Sequence, residues 1–472
     1  MSAMNLSLQQ AAAWLSNARL VGHEAMVVDR VHTDTRTLQP GDLFVALRGE
    51  KFDANAFIAQ AQAQGAAAVI CEPQGEAMAM AHGLSAIVVP DARLALGELA
   101  AGWRAQFDLP VIAITGSNGK TTVTQMVASI LRAHAHEYSL STQGNLNNDI
   151  GVPLTLLNLR AHHRMAVVEL GMNHPGEIAY LARLVRPSVA LVNNAQREHQ
   201  EYMGTVEAVA YENGAVLQAL PSHGVAVYPA DENYTPIWNA LAEQRVCRTF
   251  AMRDADVTAA LVLWVAGAWQ FTLKTSEGTA PVRLHIAGRH NVKNALAAAA
   301  CALSAGVSLG DVVQGLQAFE PVKGRSRALM VQQGERVLSL VDDTYNANPD
   351  SVRAAIDVLA ELPAPRLMVL GDMGEVGDQG PEFHAEVGAY AAERGIEVLF
   401  TLGELSGEAA KAFGAGRHFE SMAALCEAVL AQVTNFQSVV VKGSRFMKME
   451  QVVDAVVQQA AEINKKGEAH AA

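Results

Sequence analysis

The chain has 472 residues, half of them hydrophobic and 18% charged, with a formal net charge of −13. That length suits about three domains, each able to bury a sizeable core. The acid excess leaves no basic footprint for nucleic acid and no attraction to an anionic membrane surface, so neither is expected as a partner. Cys71, Cys247, Cys301 and Cys426 lie far apart and read as reduced, mostly buried thiols of a cytoplasmic protein. The start carries no signal-peptide pattern; Ser7 and Gln10 form a capping box ahead of an alanine-rich helix near residues 9–15. The longest weakly polar run, 295–307, is mostly alanine and too short to span a bilayer. A soluble protein is expected.

The first ninety residues alternate short strands and helices around Phe44-Val45-Ala46-Leu47, Ala67-Ala68-Val69-Ile70 and Ser85-Ala86-Ile87-Val88-Val89. A helix from about 92 to 107 places a domain boundary near residue 90. Strands near Val111, Ala166 and Val189 then alternate with helical patterns, which argues for a parallel sheet. Residues 257–286 change to short antiparallel strands separated by glycine turns, followed by a helix opening near His290. Ser308 caps another helix that ends before Pro321, and the second boundary falls at 321–325. A third α/β unit follows through strands at 337–341, 367–370, 398–401 and 438–441, and the polar tail from Asn464 is expected to fray. The expected fold is α/β in three domains. A central P-loop, parallel-sheet, ATPase-like domain (93–322) is flanked by a small N-terminal α/β domain (1–92) and a Rossmann-like C-terminal α/β domain (323–472).

The densest signal is Val111-Ile112-Ala113-Ile114-Thr115-Gly116-Ser117-Asn118-Gly119-Lys120-Thr121-Thr122. An apolar strand runs into a glycine-bounded turn, and a helix with Val123, Met126, Val127, Ile130 and Leu131 on one stripe follows at once. Gly116 and Gly119 let backbone N–H groups of this turn, which includes Ser117, Asn118 and Thr122, converge on a phosphate at a helix start. Lys120 would reach the β- and γ-phosphates and the Thr121 hydroxyl would ligate Mg²⁺. Ile114 stands where the strict motif has glycine.

Ligands of open parallel sheets sit at the carboxyl ends of the strands, and that rule gathers distant segments. Glu169 closes one strand; Asn193, Asn194 and His199 follow another. With Thr121, Glu169 and His199 are candidate Mg²⁺ ligands; taken singly, Glu169 also reads as a cap or surface acid and His199 as a solvated loop residue. Asp342-Asp343-Thr344-Tyr345-Asn346-Ala347-Asn348-Pro349 follows a strand of the third unit, with Ser351 read as the cap of the next helix. It is either an Asx-rich turn or a polar rim for a second substrate. Asp372 and Lys442-Gly443-Ser444 sit at neighbouring strand ends. Asn291 and Asn294 open the alanine helix, as ordinary caps or as amides paired to a base edge.

Taken together, these segments resemble the Mur ligase family, ATP-dependent amide-forming enzymes of cell-wall precursor synthesis, from Asp34 to Glu450. The string 144–153 (Gly-Asn-Leu-Asn-Asn-Asp-Ile-Gly-Val-Pro), the string 169–178 (Glu-Leu-Gly-Met-Asn-His-Pro-Gly-Glu-Ile), 342–349 and 441–450 carry the resemblance. It implies a ligase that couples ATP use, with Mg²⁺, to joining D-alanyl-D-alanine to a UDP-N-acetylmuramoyl-tripeptide through an acyl phosphate. Lys120, Glu169 and His199 would be catalytic. Asn291 and Asn294 would lie near adenine, with Arg325 at ribose or phosphates and Asp343 also on ATP. Thr35, Arg36 and Arg48 would hold the uridine nucleotide, while Asn145, Asn147, Asn148, Tyr345, Asn346, Asn348 and Lys442 would contact the substrates. A monomer is expected. Several relatives carry a carbamylated lysine that bridges metal; Asn213 stands there in this chain and cannot form a carbamate. The alternatives are a family ligase adding a single amino acid such as diaminopimelate, and a nucleotide-binding switch that ligates nothing.

Overall fold

The structure, a computed structural model, describes residues 3–49, 52–265, 267–334 and 336–471. Its largest parallel sheet runs Val246–Phe250, Val225–Pro229, Val189–Val192, Val111–Thr115, Met165–Glu169, Ser139–Ser141, every pair parallel. The phosphate-loop strand sits where the order reverses, so the chain leaves it and its two neighbours on opposite sides of one crevice. All five residues of Val111–Thr115 are buried, because both faces of this sheet are covered. Val111 and Ala113 face a core shared with the first lobe, while Ile112 and Ile114 face the helix Lys120–Ala135 and the helix His290–Ser304. This is the two-residue side-chain alternation of a strand. The alanine-rich run 295–302 is wholly buried in that second core; small side chains let the helix lie close.

The antiparallel reading of 257–286 holds: Thr258–Val265, Ala268–Thr275 and Gly278–Leu284 form a three-stranded meander. The first lobe is a five-stranded sheet in the order Arg19–Val21, Ser85–Val88, Ala68–Cys71, Asp42–Val45, Arg30–His32, with only its Arg19 edge antiparallel. The third lobe orders Arg327–Gln333, Arg336–Asp343, Ser438–Lys442, Arg366–Gly371, Val398–Leu402, Arg417–Phe419, again with one antiparallel edge. Two expectations change. The tail is helical, Glu450–Ala471, and Asn464 anchors it by accepting from Gly334 N and donating to Gln332 O, both at 2.9 Å. The cap of helix Pro349–Glu361 is Asn348, and Ser351 is its reciprocal partner.

Candidate functional site

Gly116 and Gly119 have φ of +133° and +80°, a region that L side chains rarely adopt. A Cβ on Gly119 would stand 2.7 Å from Asn294 Oδ1, and one on Gly116 3.0 Å from the backbone N atoms of Asn193 and Asn194. Glycine is required at both positions to let the loop lie against the end of the neighbouring strand. Asn194 Oδ1 accepts from Asn118 N at 2.8 Å, and the side chains of Asn193 and Asn194 donate to Asn118 O. The loop is thus held in place by protein groups of the neighbouring strand end. Lys120 folds back on it, donating to Gly116 O and Glu198 Oε1 at 2.5 Å and to Ser117 O at 3.1 Å. Glu198 is buried and its Oε2 has no hydrogen-bond partner among the described residues.

Glu169 ends its strand almost fully buried. Its Oε1 accepts from Thr121 Oγ1 at 3.1 Å and from Asn147 Nδ2 at 2.8 Å. The surface-acid reading therefore falls. A hydroxyl and a carboxylate oxygen beside a phosphate cradle are the hard donors Mg²⁺ takes, with substrate phosphates and water completing its shell; these two residues fit the ion. Among the described residues no three His, Cys, Asp or Glu side chains converge as a protein-only metal cage would need. His199, in a left-handed conformation (φ +47°), places Nδ1 2.7 Å from Glu375 Oε2 and Nε2 3.7 Å from Glu198 Oε1. The hydrogen bond to His199 holds the Glu375 carboxyl below the usual carboxylate range despite partial burial. Asn213 Oδ1 accepts from Thr115 Oγ1 at 2.6 Å, an internal structural bond.

The third lobe faces this loop directly. Asn348 exchanges amide contacts with Asn118 at 3.0 and 3.4 Å while also capping its own helix, so the turn is a helix cap that also faces the phosphate loop. Arg325 donates to Thr121 Oγ1 at 3.1 Å and lies 3.9 Å over the Tyr345 ring. Lys442 donates to Asp343 Oδ2 at 2.6 Å and to Asn346 O at 2.9 Å. Burial opposes the ionised Asp343, but Lys442 beside it prevails and keeps the carboxyl below its ordinary value. Asn294 links Asn193 and Asn291, and Asn291 donates back to Ala287 O; these amides are not conventional N-terminal caps. Asp372, by contrast, spends its carboxylate on the N–H groups of Glu404, Leu405 and Ser406 and works as a loop staple.

One cavity of about 790 Å³ takes in the loop, Glu169, His199, Asn291, Asn294, Arg325 and the 343–348 turn; Asn145, Asn147, Asn148 and Lys442 also line it. Thr35, Arg36 and Arg48 do not line it. Arg36 is paired with Asp34 at 2.7 Å on the surface of the first lobe. The sequence reading passed over Arg197, Glu198, Asp350 and Glu375, which also line this cavity. The signal available was a charged triplet, Arg197-Glu198-His199, straight after a strand-end Asn pair.

A phosphate cradle opposed by a polar rim from another lobe defines a nucleotide-using enzyme that brings two further reactants together. The Mur ligase middle domain matches residues 114–302, the Mur ligase glutamate ligase domain 326–445, and the Mur ligase family catalytic domain 27–104. The UDP-N-acetylmuramoyl-tripeptide–D-alanyl-D-alanine ligase of Escherichia coli (strain K12) is 42% identical over 444 residues, spanning 93% of this chain and 96% of its own length. Its counterpart in Haemophilus influenzae is 40% identical, spanning 93% and 96%. A crystal structure of MurF from Acinetobacter baumannii superposes with a TM-score of 0.89 at 35% identity, over 97% of this chain and all of that one. The chain belongs to the Mur ligase family, and it is an ATP-dependent ligase that forms a carbon–nitrogen bond.

Proposed function

We infer that this enzyme joins D-alanyl-D-alanine to UDP-N-acetylmuramoyl-tripeptide, giving the pentapeptide cell-wall precursor, ADP and phosphate. Relatives carrying that name match nearly end to end. The observation that carries the reading is the single cavity in which Lys120, Glu169 and the Tyr345–Asn348 turn of another lobe meet. A carboxylate and an amine do not condense in water at useful rates, so the acid must be activated. The tripeptide's terminal carboxylate oxygen attacks the γ-phosphorus, the bond to the β-bridging oxygen breaks, and ADP leaves. The dipeptide amine then attacks the acyl carbon of the acyl phosphate. A tetrahedral intermediate collapses, phosphate departs with the C–O bond, and the amine's proton is lost.

Lys120 leaves Glu198 to neutralise charge spreading over the transferred phosphoryl group, and positioning provides most of the remaining rate. Closure of the third lobe excludes water that would hydrolyse the acyl phosphate. Thr121 and Glu169 would hold Mg²⁺, whose charge would offset that of the phosphates. His199 is the third proposed ligand, with Glu375 beside Nδ1 to orient the ring. The amides of Asn291 and Asn294 would read the adenine edge, and Thr35, Arg36 and Arg48 on the first lobe would hold the uridine nucleotide.

We place the enzyme in the cytoplasm, where its nucleotide substrates are made and where the free thiols of its four cysteines persist. No described helix is long and apolar enough to cross a membrane. It acts as a monomer in this reading. The test supplies ATP and UDP-N-acetylmuramoyl-tripeptide with a panel of amino acids and dipeptides, reading ADP release and product mass. Product and stoichiometric ADP should appear with D-alanyl-D-alanine. Coupling to a single amino acid instead, or ADP release indifferent to the amine, would overturn the assignment.

A further inference from the structure

Arg197 lines the cavity but has no part in the chemistry just described. It lies between strand Val189–Val192 and the short helix Gln200–Met203 of the central lobe. Its Nε and Nη2 donate to the Asp350 carboxylate over 2.6–3.2 Å, and its backbone N–H adds a 2.9 Å bond to Asp350 Oδ2. Nη1 and Nη2 donate to Glu386 at 2.7 and 3.1 Å, and the guanidinium carbon stands 5.3 Å from the Phe383 ring centroid. Asp350 belongs to helix Pro349–Glu361; Phe383 and Glu386 belong to helix Gly380–Glu393. One planar cation from the central lobe therefore grips two helices of the third lobe.

The grip reaches the loop by a short route. Asp350 lies two residues beyond Asn348, whose amide meets Asn118 of the phosphate loop. Holding Asp350 fixes the approach of that helix end. The neighbouring ion pair, His199 to Glu375, crosses the same boundary at 2.7 Å. Without the guanidinium, Asp350 and Glu386 would be left as two carboxylates converging on an empty centre, with Arg353 contributing one 3.3 Å bond to Glu386. Like charges at that spacing repel within the third lobe, and the attraction that ties its two helices to the central lobe would be gone. Lysine offers a single ammonium and cannot serve two carboxylates in fork geometry.

We propose that Arg197 is a positioning residue that clasps the third lobe shut over the phosphate loop and so sets the place of the incoming amine. It acts through Asp350 and Glu386 rather than on the reacting atoms. The proposal rests on the ligation reading above for the identity of that amine.

The test uses the full-length enzyme with R197A, R197K, E386Q and the double variant R197A/E386Q. R197A should raise KM for D-alanyl-D-alanine at least tenfold and lower kcat. Its calorimetric Kd for ADP should stay within threefold of the parent. Small-angle scattering of its complex with a non-hydrolysable ATP analogue should give a larger radius of gyration than the parent complex. R197K should fall between, and adding E386Q to R197A should recover part of the KM loss by removing an unpaired charge. A purely structural arginine would instead lower Tm in R197A while leaving the KM for D-alanyl-D-alanine near the parent's. Should R197A fail to fold, R197K and E386Q carry the same comparison. Parental KM and scattering in R197A, or an ADP Kd that weakens in step with activity, would overturn the clasp. Absence of product from the parent enzyme would instead strike at the ligation reading, and the scattering comparison would still judge the clasp.

Discussion

Replacing Glu198 by glutamine should tighten nucleotide binding, against the common expectation for a residue beside a phosphate loop. The Lys120 Nζ to Glu198 Oε1 contact is 2.5 Å, between side chains only 15% and 7% exposed. Two unit charges at about 4 Å attract by about 4 kcal/mol at an effective dielectric of about 20. A nucleotide must draw Lys120 from this partner and bring its own negative charge towards the unpartnered Glu198 Oε2. Glutamine keeps the shape and one acceptor oxygen but deletes the charge. If about a third of the attraction survives as a difference, roughly 1.4 kcal/mol, ADP should bind about tenfold more tightly. Calorimetric titration of E198Q with ADP measures this, and the gain should persist at high salt because the pair is shielded from solvent. An unchanged or weaker Kd would refute the reasoning and recast Glu198 as a group that helps hold the nucleotide.

Further outcomes follow from the same geometry. Lys120→Ala should cut turnover by about a thousandfold or more, the scale of losing a key charge-stabilising group, with circular dichroism and Tm preserved; activity near the parent's would remove the loop from the chemistry. Gly119→Ala should weaken ADP binding and lower Tm by a few degrees, since the left-handed conformation alone costs about 1–2 kcal/mol and the new Cβ meets Asn294; a parental Kd in calorimetry would contradict this. Asp343→Asn strands buried Lys442 and should cost about 3 kcal/mol at pH 7 in urea unfolding. Because the folded Asp343 carboxyl titrates below its unfolded value near 3.9, the pair's contribution is complete above that value. It fades as pH falls through the folded value. The gap between parent and variant should therefore narrow in strong acid; a constant gap would argue against the pair.

The strands that hold the site could be read directly. Val111–Thr115, Met165–Glu169 and Val189–Val192 are apolar runs that end in a polar residue or, for the last, lead straight into Asn193, the apolar stretch that fully covered parallel strands need. Edge strands escaped. Ser139–Ser141 is three residues long with two of them serine, too short to carry a pattern, and Arg327–Gln333 leaves Met330 exposed, so neither has the apolar run that marks a covered strand. At the site, local chemistry announced Lys120, Thr121 and Glu169. It could not announce partners chosen by lobe packing. Arg197 lies 153 positions from Asp350, and Lys442 lies 99 from Asp343; each looks like an ordinary surface charge until the lobes meet. The helix Ala92–Arg104 illustrates the same limit for boundaries. It reads as the opening of the central domain, and Leu96 and Leu99 share one core both with Leu43 and Ile70 of the first lobe and with Leu156 and Leu181 of the central one, so packing draws no sharp line there.

The central claim is that the peptide acid is activated by direct phosphoryl transfer in the cavity between lobes. Tripeptide substrate labelled with ¹⁸O in its terminal carboxylate tests this in one turnover series with ATP and D-alanyl-D-alanine. Direct transfer places one labelled oxygen in the released inorganic phosphate for each new amide bond. Phosphate that carries no label while ligated product accumulates would contradict the account.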